Sequence, residues 1–297
     1  MFLELGVPVR SVNKVRLFAG RDGKGAPCIY AVMGQQADNF FVLQIDPETG
    51  SFRQFVSEVP SSNYPTAALM SRTGRLYIGA AYAGHLLCFD PDGDVLEDLG
   101  PINPGAAIFP CRIDESPDRR IWIGSYGTAD LTSYDPKTRR FTRYGRMDDV
   151  DMYNYPFVDP EGNIVCFIRT TKLHVVVFDP RTRERRTVGP VVEKAMGNLE
   201  LYRGEDGELY IRSDLRNFRV RGMRAEPVDV LPNPEPEPTL PCGTKFGFSD
   251  AWDLIYRKLK LSRPDGRTQV FYLDYEASGS DIFYLSIFSA TTPRKGG

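Results

Sequence analysis

The sequence predicts an all-β fold built from repeated four-stranded units, because three motifs recur at a period of about 44 residues. An apolar segment ending in Asp-Pro recurs at Asp46, Asp90, Asp135 and Asp179. An aromatic residue followed by proline recurs at Tyr64, Phe109 and Tyr155. The segment GRLYIG at 74–79 is echoed at 120–124 and 162–166. Four-stranded units of about 40 to 50 residues are typical of a β-propeller, in which each unit forms one radial blade.

The second unit illustrates the expected strands, which are 66–71, 75–80, 85–90 and 95–100. They alternate in polarity, carry aromatic and β-branched residues, and are separated by turn residues. In the Asp-Pro motif, proline fixes φ and the aspartate accepts hydrogen bonds from the backbone that follows. We therefore interpret these aspartates as turn residues rather than as catalytic acids.

The period predicts a single propeller domain over 1–297 with six to seven blades. The blades are expected at 13–57, 63–101, 107–146, 153–190, 197–232 and 245–276, with 281–288 as the first strand of a seventh. Residues 1–6 resemble an outer strand and are a candidate for the segment that closes the ring. The last blade remains incomplete, so we hypothesise an imperfectly closed ring or the N-terminal part of a longer repeat protein.

A proline-rich run at 232–241 stands out in composition. Its proline spacing favours polyproline II, the conformation that proline-rich partner ligands adopt. The interpretation that we favour is a stiff, solvated loop between the fifth and sixth blades.

Charge and composition exclude several classes of protein. Lys plus Arg total 37 against 39 Asp plus Glu, so the chain lacks the basic excess of a nucleic-acid binder. No apolar run approaches the length of a membrane-spanning helix, and residues 1–10 do not form a secretory signal. The five cysteines form no CxxC pair and are expected to be reduced core residues. These features favour a cytoplasmic protein.

Over residues 13–288 the repeated motifs resemble the YVTN, streptogramin-lyase and gluconolactonase-type propeller superfamily. The resemblance implies the propeller architecture, whereas activity differs widely among these proteins. Acidic-polysaccharide lyases with this fold pair a His or Tyr base with a cation that neutralises the uronate carboxylate. In this sequence His85 is the candidate base, and Tyr126 with Arg169 or Lys172 would serve beside it.

One face of the propeller is expected to carry the binding site. The loops that enter the first strand and those that join the second and third strands lie on that face, and such loops are presented on a rigid scaffold. The candidate ligand-binding residues are Gln36, Asn39, Asn63, Tyr64, Tyr82, Phe109, Asp130, Asn154, Tyr155, Lys172 and His174. They form a polar, aromatic surface suited to sugar rings. The alternative is that the aromatic-proline pairs only fill the central channel.

His85, Asp130 and His174 occupy the same position in successive blades, which raises the question of a metal site. They begin third strands, roughly 10 Å outside the inner strand, and equivalent positions diverge at that radius. We therefore predict no metal ligands and assign no cofactor. The His and Glu metal set of streptogramin lyases is not visible, and for the Glu and Asn set of gluconolactonases only Asn63, Asn154 and Asn198 are of the right type.

The sequence favours a cytoplasmic ligand-binding or scaffold propeller that recognises a carbohydrate-like or other polar small molecule. The first alternative is a lyase or hydrolase of sugar acids that uses His85, Tyr126 and Arg169. The second alternative is a protein-interaction platform. The expected partner is a small molecule or glycan, or else a protein, and neither nucleic acid nor a membrane.

Overall fold

The computed structural model describes residues 12–35, 38–105, 108–248 and 257–274. Within these ranges the chain forms 23 strands and no helix. A membrane-spanning helix is accordingly missing from the part of the chain that the structure describes. Consecutive strands pair antiparallel within each unit, and every described unit contains three or four strands.

Blades 1 to 3 contain four strands each. Blade 1 consists of β1 (Val12–Arg21), β2 (Pro27–Gln35), β3 (Phe41–Ile45) and β4 (Phe52–Val56). Blade 2 consists of β5 (Tyr64–Met70), β6 (Leu76–Ala81), β7 (His85–Asp90) and β8 (Val95–Pro101). Blade 3 consists of β9 (Phe109–Glu115), β10 (Ile121–Tyr126), β11 (Asp130–Asp135) and β12 (Arg140–Arg146).

Blades 4 and 5 repeat this pattern, and blade 6 has three described strands. Blade 4 consists of β13 (Tyr153–Val158), β14 (Ile164–Arg169), β15 (Lys172–Phe178) and β16 (Arg185–Glu193). Blade 5 consists of β17 (Leu199–Arg203), β18 (Leu209–Ser213), β19 (Asn217–Arg221) and β20 (Arg224–Val228). Blade 6 consists of β21 (Lys245–Phe248), β22 (Lys258–Ser262) and β23 (Thr268–Tyr272).

The Asp-Pro aspartates form the turns between the third and fourth strands of blades 1 to 4. In each of them Oδ1 accepts a hydrogen bond from the amide two residues later, at 2.7 Å for Asp46, 3.2 Å for Asp90, 2.9 Å for Asp135 and 2.8 Å for Asp179. The bond from the Glu48 amide holds the pKa of the Asp46 carboxyl below its usual value. The interpretation of these aspartates as turn residues is confirmed.

A glycine in the second strand of one blade faces the proline in the inner strand of the next. A Cβ atom at Gly79 would lie 2.6 Å from the Cβ of Pro110. At Gly124 it would overlap the carbonyl oxygen of Asn154 and the Cδ of Pro156. Neighbouring blades therefore approach more closely at these points than any other residue would permit. This contact explains why the glycine and aromatic-proline motifs recur together.

The hydrophobic core consists of apolar layers between neighbouring blades. Four layers join blades 1 to 5 in order along the chain. A fifth layer joins blade 6 to blade 1, where Leu259 and Leu261 pack in one cluster with Ile29 and Leu43. The predicted strand at 281–288 and the predicted closing segment at 1–6 lie outside the described residues.

Candidate functional site

Five aromatic side chains form a continuous row across blades 2, 3 and 4 at one end of the propeller. The ring centroids are 4.8 Å apart for Tyr82 and Phe109, and 5.8 Å for Phe109 and Tyr126. The row continues with 4.3 Å between Tyr126 and Tyr153 and 6.1 Å between Tyr153 and Tyr155. Each ring therefore contacts the next. We call these five residues the aromatic row.

The positions of the strand ends determine where the aromatic row lies. The inner strands β9 and β13 begin at Phe109 and Tyr153, while the second strand β10 ends at Tyr126. Because antiparallel neighbours run in opposite directions, the start of the inner strand meets the end of the second strand at one end of the blade. Tyr126 pairs directly with Tyr153 and thereby links blades 3 and 4 at that end. Tyr82 follows the second strand of blade 2 and is 60% exposed.

Arg169 places a positive charge at the blade 4 end of the aromatic row. Its guanidinium carbon lies 5.6 Å from the ring centroid of Tyr153 and 4.9 Å from that of Tyr155, which is cation–π geometry. Arg169 is exposed to solvent, and its guanidinium forms no ion pair with any described carboxylate. Partial burial raises the pKa of Tyr155. The guanidinium is thus available to an anionic group of a ligand on the row.

His85 is positioned by an aspartate on the outer strand of its own blade. Its Nδ1 lies 2.9 Å from Oδ1 of Asp98. A bulge in the pairing of β7 with β8 brings Asp98 opposite Leu87, beside His85. The structure therefore brings Tyr126 and Arg169 together through Tyr153, whereas the only polar contact of the His85 side chain among the described residues is with Asp98.

His174 and Asp130 are held by different partners. His174 is 5% exposed, and its Nε2 lies 3.1 Å from Oδ2 of Asp148, the loop residue after blade 3. Asp130 accepts hydrogen bonds from Thr128 and, at 3.4 Å, from Asn103. Hence the two histidines are held by separate aspartates, and neither forms a hydrogen bond with Asp130.

The remaining predicted residues differ in accessibility. Tyr64 is exposed at the start of β5, and Lys172 forms an exposed ion pair of 3.6 Å with Glu193. Asn39 donates to the carbonyl of Ser57 at 2.8 Å, and fully buried Asn154 donates to the carbonyl of Asp130 at 3.2 Å. Asn63 lies partly buried, and Gln36 lies outside the described residues. Sequence reasoning missed Tyr153, although its position two residues before Tyr155 places it on the same side of the strand.

Several buried polar atoms at this end lack a hydrogen-bond partner among the described residues, including Gln35 Oε1, Asn63 Oδ1, Ser125 Oγ, Asn154 Oδ1 and His174 Nδ1. Oxygen atoms of this kind accept bonds from water or hold hard cations. In the described ranges no three His, Cys, Asp or Glu side chains group in a way that holds a metal. The His and Glu metal set of streptogramin lyases therefore does not fit the described residues.

No protein-family model and no curated protein matches the chain. Among solved structures it is similar to a streptogramin B lyase, with 12% identity, a TM-score of 0.54, and coverage of 93% of this chain and 88% of that one. It is also similar to a catalytically inactive virginiamycin B lyase from Staphylococcus aureus with quinupristin, with 10% identity, a TM-score of 0.56, and coverage of 93% and 90%. The chain is therefore an all-β propeller with the fold of the streptogramin lyases, as its repeats predict.

Proposed function

We propose that the chain is a ligand-binding β-propeller whose aromatic row holds a carbohydrate-like or other ring-bearing polar small molecule. The observation that carries this proposal is the continuity of the row from Tyr82 to Tyr155, ending at the guanidinium of Arg169. A protein of the same fold was solved with the small molecule quinupristin, which gives further support.

The chemistry of the row suits such a ligand. An aromatic face supplies a large contact area to a ring at low entropic cost, and each aromatic contact contributes about 0.5–1.5 kcal/mol beyond burial. Four of the five side chains are tyrosines, whose hydroxyl groups donate and accept hydrogen bonds. Arg169 adds a fixed positive charge, so a ligand with a carboxylate is expected to bind more tightly than its neutral analogue.

Substitution of the central tyrosine tests the proposal. Tyr126→Ala removes the ring that links Phe109 to Tyr153, so we expect at least a tenfold loss of affinity for any oligosaccharide that binds the wild type. Isothermal titration with neutral and uronate-containing oligosaccharides measures the loss. Tyr272→Ala is the matched control, since Tyr272 is 75% exposed on blade 6. Equal binding by both variants and the wild type, or no binding by the wild type, would contradict the proposal.

A lyase acting on sugar acids is the second candidate, and the convergence of Tyr126 and Arg169 on Tyr153 favours it. In that elimination Tyr126, once it has lost its own phenolic proton, takes up the proton beside the carboxylate that Arg169 neutralises. The electron pair forms a carbon–carbon double bond, and the bond to the departing sugar oxygen breaks as that oxygen is protonated. Tyr126→Phe keeps the ring but removes the hydroxyl. It therefore abolishes turnover of a uronate oligosaccharide in a lyase, while binding persists in either case. Formation of an unsaturated product, followed by absorbance, separates the two functions.

The cellular setting and partners belong to the same proposal. All five cysteines are free thiols, and three of them are buried, which supports a reducing compartment such as the cytoplasm. The proposed partner is a small molecule or glycan on the aromatic row. A protein that docks on the same face is the remaining possibility, and it predicts that none of the oligosaccharides binds.

A further inference from the structure

A cavity of about 710 Å³ opens at the end of the propeller opposite the aromatic row. The inner strands begin at the row and end at this cavity, which is lined by Met70, Glu115 and Val158 at the ends of β5, β9 and β13. Its volume lies within the range of about 300–1,000 Å³ that small-molecule sites occupy. The cavity lies at the mouth of the central channel and is independent of the site proposed above.

Arg112 is the central cation of this cavity. Its guanidinium carbon lies 3.7 Å from the ring centroid of Phe157, and its Nε donates to the carbonyl of Pro156 at 3.0 Å. Burial lowers the pKa of Arg112 to about 10, although the nearby charge of Asp114 opposes this effect. No described carboxylate forms an ion pair with Arg112. A desolvated cation without a paired anion is costly, and an anionic ligand relieves that cost.

The acidic residues in the walls are already bound to other groups. Asp114 accepts from Arg203 at 3.0 Å and from the amide of Val158 at 2.9 Å. Glu115 accepts from the amide of Arg72 at 2.7 Å and from Arg119 at 3.3 Å. The third acidic residue, Asp159, accepts hydrogen bonds from the backbone amides of its own turn. None of these three carboxylates forms a hydrogen bond or an ion pair with Arg112, although the charge of Asp114 acts on it from nearby.

Arg16 is a second cation on the rim. It is exposed, lies over the ring of Phe18 at 5.7 Å, and forms no ion pair with a described carboxylate. Among the four arginines of the lining, Arg16 and Arg112 are therefore the two that form no ion pair with a described carboxylate.

The proline-rich run supplies one wall of the cavity and presents its own carboxylates there. It connects blades 5 and 6, which confirms the loop predicted at 232–241. Pro234 bridges to Gly204, and the carboxylate of Glu235 lies 3.9 Å from Nε of Arg203. Glu237 also lines the cavity. The run thus adds two carboxylates to a lining that already contains three acidic residues, and these two would compete with an anion from solution.

We propose that this cavity is a second binding site, for a small oxyanion bearing carboxylate or phosphate groups, with Arg112 as the anchoring cation and Arg16 at the rim. Guanidinium groups bind both kinds of oxyanion through paired N–H donors. The wall residue Glu235 limits affinity by placing a like charge beside the ligand. The site lies on the face opposite the aromatic row and does not depend on the function proposed for it.

The test measures binding of inorganic phosphate and of citrate to the full chain at constant ionic strength, by titration calorimetry and by thermal shift. Constant ionic strength separates binding from general screening. We expect Arg112→Gln to weaken binding at least tenfold and Arg16→Gln about threefold, whereas Glu235→Gln strengthens it about threefold. The matched control is Arg53→Gln. Arg53 is not among the residues that line the cavity, and its guanidinium forms an ion pair of 2.6 Å with Asp94.

The outcomes are distinct. Binding of phosphate alone identifies a phosphorylated ligand, and binding of citrate alone identifies a polycarboxylate. The proposal is overturned when neither anion binds the wild type, or when Arg112→Gln binds as tightly as Arg53→Gln does. Arg16→Gln keeps the test valid if Arg112→Gln fails to fold, because Arg16 is exposed and its replacement leaves the core intact. Tyr126→Ala is expected to bind both anions as the wild type does.

Discussion

Gly124→Ala is expected to destabilise the propeller by about 1–3 kcal/mol, the usual cost of inserting a methyl group into a packed interface. The added Cβ would overlap the carbonyl oxygen of Asn154 and the Cδ of Pro156. Neither atom belongs to a flexible side chain, so blades 3 and 4 must separate to accommodate it. Chemical denaturation followed by tryptophan fluorescence measures the change, since Trp122 lies in the adjoining core.

Gly247→Ala is the matched control for this prediction. Gly247 also lies in a strand, but a Cβ there would have no atom within 4 Å. We expect a change within about 0.5 kcal/mol, as for most substitutions away from special features. Equal stability of the two variants would mean that the glycine–proline contact does not set the distance between blades.

The repeats predict the architecture because each blade buries its faces against its neighbours. That requirement produces the same pattern of apolar, turn and glycine residues in successive units. Asp90 and Asp179, for example, are recognisable as turn residues from local chemistry alone. The contact between Gly79 and Pro110 is not recognisable in that way. It joins residues in different blades, and sequence spacing within one blade does not show which residues of two blades meet.

The candidate site is likewise predictable only in part from the repeat. The aromatic positions Phe109 and Tyr155 follow from the repeat, because the start of every inner strand lies at one end of the fold. The partners of the two histidines do not follow from it. Asp98 reaches His85 only through a bulge in the outer strand, and bulges shift register without a clear sequence signal. The register of the outer strand therefore decides the partner of His85, whereas His174 is bound by Asp148 in the loop after blade 3.

Leu261→Ala is expected to cost about 2–5 kcal/mol, the range for deleting a large aliphatic side chain from a well-packed core. Leu261 is fully buried in the layer between blades 6 and 1, in one cluster with Leu43 and Leu240. Urea unfolding measures the loss, and limited proteolysis reports where it acts. We expect the new cleavage sites to fall first in blade 6, because the space left by the missing leucine side chain weakens the packing of blade 6 against blade 1.

Leu215→Ala is the control, since this leucine is 76% exposed on blade 5 and its removal leaves no cavity. A small effect of Leu261→Ala, or cleavage that begins in blades 2 to 4, would show that this layer does not hold the ring together. An ion pair of 3.1 Å between Arg263 and Glu48 spans the same two blades, but Glu48 is exposed to solvent, and pairs with exposed groups contribute at most about 1 kcal/mol. The apolar layer is thus expected to supply most of the free energy that fastens blade 6 to blade 1.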